Sequence, residues 1–180
     1  MDKQQRIEEV RKYIEKYYIP GDDDIALAES RAPSAPLFDI SSAEKKEFAH
    51  PMGELAAGNR KLEDLMDQMD ETFSRRLLRM IRERNMTEAE AYKKAFVDRR
   101  HFSKIKNDEY YAPSKKTVLA FAIALELSLD ETKDLLRSAG YALSRSSKSD
   151  IIVMYFIENK DYNMFDINEV LYEYGQSVFE

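Results

Sequence analysis

Between two aspartates the chain reads Arg99-Arg100-His101-Phe102-Ser103-Lys104-Ile105-Lys106-Asn107, with a cation or hydrogen-bonding side chain everywhere except Phe102 and Ile105. Guanidinium and ammonium groups at this density neutralise phosphates and donate to base edges. Phe102 and Ile105 stand three apart, so a short helix would turn both inward and leave the cations outside. An ordinary solvated helix face can have the same composition, so the rest of the chain has to say whether a polyanion is the partner.

Catalytic chemistry finds little to work with. There is no cysteine, which excludes disulfides, thiolate nucleophiles and cysteine-ligated metals. The two histidines, His50 and His101, have neither the spacing nor the context of a metal site or a triad. Five glycines in 180 residues form no phosphate-cradling loop. Asp22-Asp23-Asp24 lacks the alternating ligands, the glycine and the closing glutamate of a calcium loop. The expectation is a protein that is not an enzyme, with no cofactor and no metal.

The net charge of −6 argues against a polyanionic partner until it is divided along the chain. Residues 1–71 hold 10 basic and 17 acidic side chains, residues 72–116 hold 13 and 6, and residues 117–180 hold 5 and 11. A basic island between acidic flanks is the asymmetry that nucleic-acid binding produces. The start, Met1-Asp2-Lys3-Gln4-Gln5-Arg6, is too polar for a secretory signal, and no apolar run is long enough to span a membrane. A cytoplasmic location is expected.

The elements that must position the island read as helices. Ile7, Val10, Ile14 and Tyr17 form an apolar stripe in residues 1–19 that docks on the rest of the chain or pairs with a copy of itself, docking being favoured for so short a stripe. Residues 20–52, with Pro33, Pro36 and Pro51, read as a partly mobile linker, and residues 53–71 as a lead-in helix carrying Leu62, Leu65, Met66 and Met69. Five helical patterns fill residues 72–145. Phe73, Leu77, Leu78 and Ile81 mark the first, whose polar positions carry Arg75, Arg76, Arg79, Arg82 and Arg84. Thr87 with Glu90 makes a capping box for the second, and Asp98 caps the third over residues 99–107. The fourth begins at Pro113-Ser114 and runs through Leu127; Ser128 with Glu131 caps the fifth, which Gly140 stops. Residues 146–180 form a two-helix extension, with Asp150 and Asp166 as expected caps, Glu169 completing the second box and Gly175 ending it.

The run Met86-Thr87, then Val97-Asp98-Arg99-Arg100-His101-Phe102-Ser103-Lys104-Ile105-Lys106-Asn107, Pro113-Ser114-Lys115-Lys116-Thr117 and Leu125-Glu126-Leu127-Ser128 resembles the phage-repressor-like helix-turn-helix family of the xenobiotic-response-element type. The resemblance implies an all-α fold: a five-helix repressor-like domain with N- and C-terminal helical extensions. It implies a sequence-specific transcriptional regulator whose third helix enters the major groove of double-stranded DNA. On that carry-over Arg99, Arg100, Ser103 and Lys104 contact bases and Lys106, Asn107, Lys115 and Lys116 contact phosphates. Independently of the resemblance, a lone histidine on a basic helix, as His101 is, reads as a surface or phosphate-contacting group rather than a base. Residues 102–175 are also similar to a helical module that follows macrodomains in some bacterial proteins; no ADP-ribose site comes with it. Three residues depart from the repressor pattern. Glu88 sets a carboxylate where a phosphate neighbour is usual, and Tyr92 and Phe96 replace a small residue and the glycine of the turn, so that the turn must find its special angles elsewhere. These departures keep open a second reading, a protein-interaction or adaptor module on the same fold. Homodimerisation through the extensions is left even.

Overall fold

The computed structural model describes residues 3–20, 71–108 and 110–179. The linker and lead-in helix expected over residues 20–71 lie outside the described residues, apart from Pro20 and Glu71. Residues 1–19 and 70–180 form one compact unit and residues 20–69 a second. Within the first, the described residues form helices and no strands: α1 (Lys3–Tyr17), α2 (Phe73–Glu83), α3 (Glu88–Lys94), α4 (Arg99–Asn107), α5 (Lys115–Ala124), α6 (Leu129–Ser138), α7 (Lys148–Glu158) and α8 (Met164–Glu173). No helix among them is long and apolar enough to cross a membrane.

Two helices are apolar nearly all round, and each is the centre of a layer. In α5 every residue from Val118 to Ala124 is buried, and α3 and α6 pack against it. In α7 Ile151, Ile152, Val153, Phe156 and Ile157 are at most 2% exposed, and α1, α6 and α8 pack around it. One apolar core runs through both layers.

The helix starts follow from local hydrogen bonding. Thr87 and Ser128 each form the full capping box with Glu90 and Glu131, and Ser114 caps α5 by accepting from the Thr117 N–H. Two expected caps are displaced. Ser147 caps α7 and Asn163 caps α8, each three residues earlier than the aspartate expected there. Asp150 instead points inward to Lys115, and Asp166 takes the guanidinium of Arg6 at 2.9 Å. A Ser or Asn ahead of an Asp offers an equivalent acceptor one turn sooner, and tertiary pairing decides between them.

Six helix ends, those of α2, α3 and α5 to α8, share one device: the chain turns left-handed and closes with a six-to-one hydrogen bond. Gly140 and Gly175 supply the positive φ as expected, but Asn85, Phe96, Glu126 and Lys160 do the same without being glycine, at φ between 52° and 54°. Glu126 therefore stops α5 before Leu127, whose N–H reaches the Ala122 carbonyl at 3.0 Å while its side chain is fully buried.

The apolar stripe of α1 docks within the chain. Val10 and Ile14 are buried against α7, and the Tyr13 ring meets Tyr155 edge-on at 5.4 Å. Tyr13 donates to Glu158 at 2.8 Å and Tyr155 donates to Glu9 at 2.7 Å, so the two phenols tie the helices reciprocally. The Ile19 N–H ends the arm on the Arg145 carbonyl at 2.9 Å.

Candidate nucleic-acid interface

The α3–turn–α4 segment begins with Ala91 and Ala95, at most 1% exposed, which let α3 approach α5 closely. Tyr92 is half-buried and tilts against Phe102, centroids 5.5 Å apart, so a large residue is accommodated by ring packing. The left-handed angle of the turn falls on Phe96 itself, not elsewhere. Asp98 then caps α4, its carboxylate accepting the N–H groups of Arg100 (2.7 Å) and His101 (3.0 Å). Those bonds, the one from His101 first, hold the carboxyl below its ordinary range. Phe102 and Ile105 are buried, Phe102 against Phe121, and the Ser74 hydroxyl donates to the Ile105 carbonyl from α2. The two-anchor reading of this helix holds.

Outside, the nine candidate residues divide. Arg99 and Arg100 are exposed, and neither guanidinium makes an ion pair with a described residue. Ser103 and Asn107 are exposed one turn apart, with the amide donating to the hydroxyl at 3.1 Å. Lys104 lies over the Tyr111 ring at 4.5 Å, and His101 meets the same ring edge-on at 5.9 Å, so Tyr111 folds back along α4 from the following loop. Lys106 reaches both carboxylate oxygens of Glu88, at 2.7 and 2.9 Å, joining the end of α4 to the start of α3.

The two lysines that open α5 are engaged as well. Lys115 pairs with Asp150, whose side chain is 3% exposed and also accepts the Ser144 N–H at 2.8 Å. Lys116 donates to Ser177 at 3.3 Å, in a C-terminal tail that the sequence did not single out. Phe179 is buried there, hooked through its backbone by the side-chain amide of Asn168 at 2.7 and 3.0 Å. It shares a groove with Phe96, Asp98, His101 and Lys116, so the tail borders the beginnings of α4 and α5. An Asn side chain on a helix face gives no hint in sequence of a strand-like backbone partner eleven residues later.

Much of the remaining basic island is paired within the fold. Arg79 bridges Glu71 and Glu83 at 2.9 and 2.8 Å, and Arg84 holds Glu131 at 2.8 Å. The Arg79 hydrogen bond lowers the Glu71 carboxyl below its usual range. His50 lies outside the described residues, and among those described no cluster of metal-ligating side chains occurs.

Compared with protein-family models, with curated proteins and with solved structures, the chain matches none. The functional reading therefore rests on its own residues and geometry.

Proposed function

We propose that the chain is a repressor-like helix-turn-helix regulator that binds double-stranded DNA through α4. The observation that carries this reading is the pair Arg99 and Arg100, in the first turn of a capped helix, exposed and without ion-pair partners among the described residues. Arginine is the side chain best matched to the O6 and N7 edge of guanine, and the first turn of a recognition helix is what enters the groove. In support, α2 to α6 are five consecutive helices: α3 and α6 pack on the buried α5, and α3 and α4 pack on each other and on α2. Ser103 extends the same exposed face, and Lys104 supplies a cation beside it.

Phosphate contact is the weaker half of the proposal. Lys106 and Lys116 would each exchange an internal partner for a phosphate, and Lys115 would have to leave a buried carboxylate. The interface is therefore small and rich in arginine. Fluorescence anisotropy of the full chain with pooled random-sequence duplex DNA, titrated with salt, tests it. Salt-sensitive binding supports the reading, and no binding even at low salt removes it.

A protein-interaction module on the same fold is the second reading. It is favoured by the Glu88–Lys106 and Lys115–Asp150 pairs, which take up cations that a phosphate clamp would need. Recovery of one stoichiometric protein, unchanged by nuclease, would support it.

A further inference from the structure

Phe96 holds a backbone conformation that suits glycine or asparagine better than a bulky side chain, at φ 53°. The ring does not offset that strain by entering the core, because 39% of the residue remains exposed. It stands edge-on to Phe165 at 5.7 Å and 81°, and Phe165, in the first turn of α8, is 73% exposed. Two phenyl rings thus flank a groove of about 280 Å³ that Ile123, Ala124 and Met164 also line. All three of those residues belong to the core.

The groove is framed by three helix ends, each fixed by its own hydrogen bonds. The Val97 N–H reaches the Tyr92 carbonyl at 2.9 Å, the Leu127 N–H reaches Ala122 at 3.0 Å, and the Phe165 N–H is held by Asn163 at 3.1 Å. Such a groove is formed before anything occupies it, as ligand sites generally are. Its rim sets two lysines, Lys93 and Lys94, against one carboxylate, Glu126, a net positive charge. Lys94 reaches Glu126 at 3.6 Å, but Lys93 is exposed and makes no ion pair with a described residue.

The geometry points to a docking site for a segment of a partner protein in which a leucine- or phenylalanine-sized side chain adjoins carboxylates. The apolar side chain fills the space beside Phe96 and Phe165, and the carboxylates meet Lys93 and the open side of Lys94. A basic segment would meet like charge at the same rim, which gives the site its selectivity. This surface uses neither Arg99 nor Arg100, so it stands independently of DNA binding.

The test is selection of a phage-displayed random peptide library on the full-length protein, followed by affinity measurement with the enriched peptides. Enriched peptides should join an aromatic or aliphatic residue to Asp or Glu. Phe165→Ala should weaken them by about tenfold and Lys93→Glu by about fivefold, as expected for a central ring and a rim charge. Both residues are exposed, and an unchanged circular dichroism spectrum confirms that the fold is retained. Failure to enrich any peptide, enrichment of basic peptides, or equal binding by Phe165→Ala protein would overturn the proposal. So would a dimer, seen by sedimentation, that Phe165→Ala dissociates, because the groove would then be an interface between copies.

Discussion

The Lys115 ammonium and the Asp150 carboxylate meet where the start of α5 lies against the start of α7, and the carboxylate is all but removed from solvent. This pair turns a lysine of the basic island into a support for the C-terminal layer. Lys115→Ala would leave a buried carboxylate with only the Ser144 N–H, and such a change costs about 3 kcal/mol. Urea unfolding of the variant should show that loss. An unchanged midpoint would mean that the lysine is free to serve a ligand.

Arg99 and Arg100 make the opposite prediction. Their exposed side chains make no ion pair with a described residue, so the double change to Ala should move stability by less than about 0.5 kcal/mol. Discrimination between DNA sites should fall by about 1–3 kcal/mol per lost arginine contact. With Lys106, Lys115 and Lys116 engaged internally, log Kd against log salt should have a slope of about 3 for the intact protein, well short of a large phosphate clamp. Anisotropy across salt and sequence checks both, and a steep slope would show that the internal lysine pairs open on DNA.

Phe96 should tolerate glycine and resist branching. Phe96→Gly removes a left-handed strain of about 1–2 kcal/mol and loses a ring contact worth about 0.5–1.5 kcal/mol, so the net change should be near zero. Phe96→Val keeps the strain, crowds the backbone further and loses the ring, and should destabilise clearly. Thermal unfolding of the two variants gives the comparison; equal losses would mean that the ring, not the backbone, dominates this turn.

Alkali should loosen α1. Burial first, and then the hydrogen bond to Glu9, pushes the Tyr155 phenol up to about 12, and Tyr13 is raised further by burial and Glu158. Because the folded values lie above that of an unfolded tyrosine, near 10, this stabilisation is complete below pH 10 and lost as pH climbs through about 12. Near-ultraviolet titration should show part of the chain's eleven tyrosines ionising late, and Tyr155→Phe should remove one of them. The same variant should lose about 1.5–3 kcal/mol, the usual worth of a hydrogen bond to a charged group.

The helical skeleton was legible wherever a local signal had no competitor. Asp98, Thr87 with Glu90, and Ser128 with Glu131 cap the helices that their spacing announced, since each satisfies backbone amides within its own turn. Where two acceptors lay three residues apart, as at Ser147 and Asp150 or Asn163 and Asp166, the choice depended on partners from other helices, which spacing cannot show. The cationic face of α4 was legible for the same local reason, through its anchors Phe102 and Ile105. What the sequence could not show was which cations are already occupied. Glu88 looked like a repulsion toward phosphate and proves to be the partner of Lys106, eighteen residues along. The special angle of the turn is expected away from Phe96, yet Phe96 takes it, with the six-to-one bond at Val97 and the Phe165 contact on either side.

The tyrosine–carboxylate ties between α1 and α7 also have a topological effect. Since α1 and α2 belong to the same compact unit, the chain is anchored in that unit on both sides of residues 20–69. A single backbone cut between α1 and α2 would not release α1. The two fragments should elute together on a sizing column and part only in denaturant. Such a nick would reduce the association to a bimolecular equilibrium, so the strength with which α1 is gripped becomes a dissociation constant that can be measured directly.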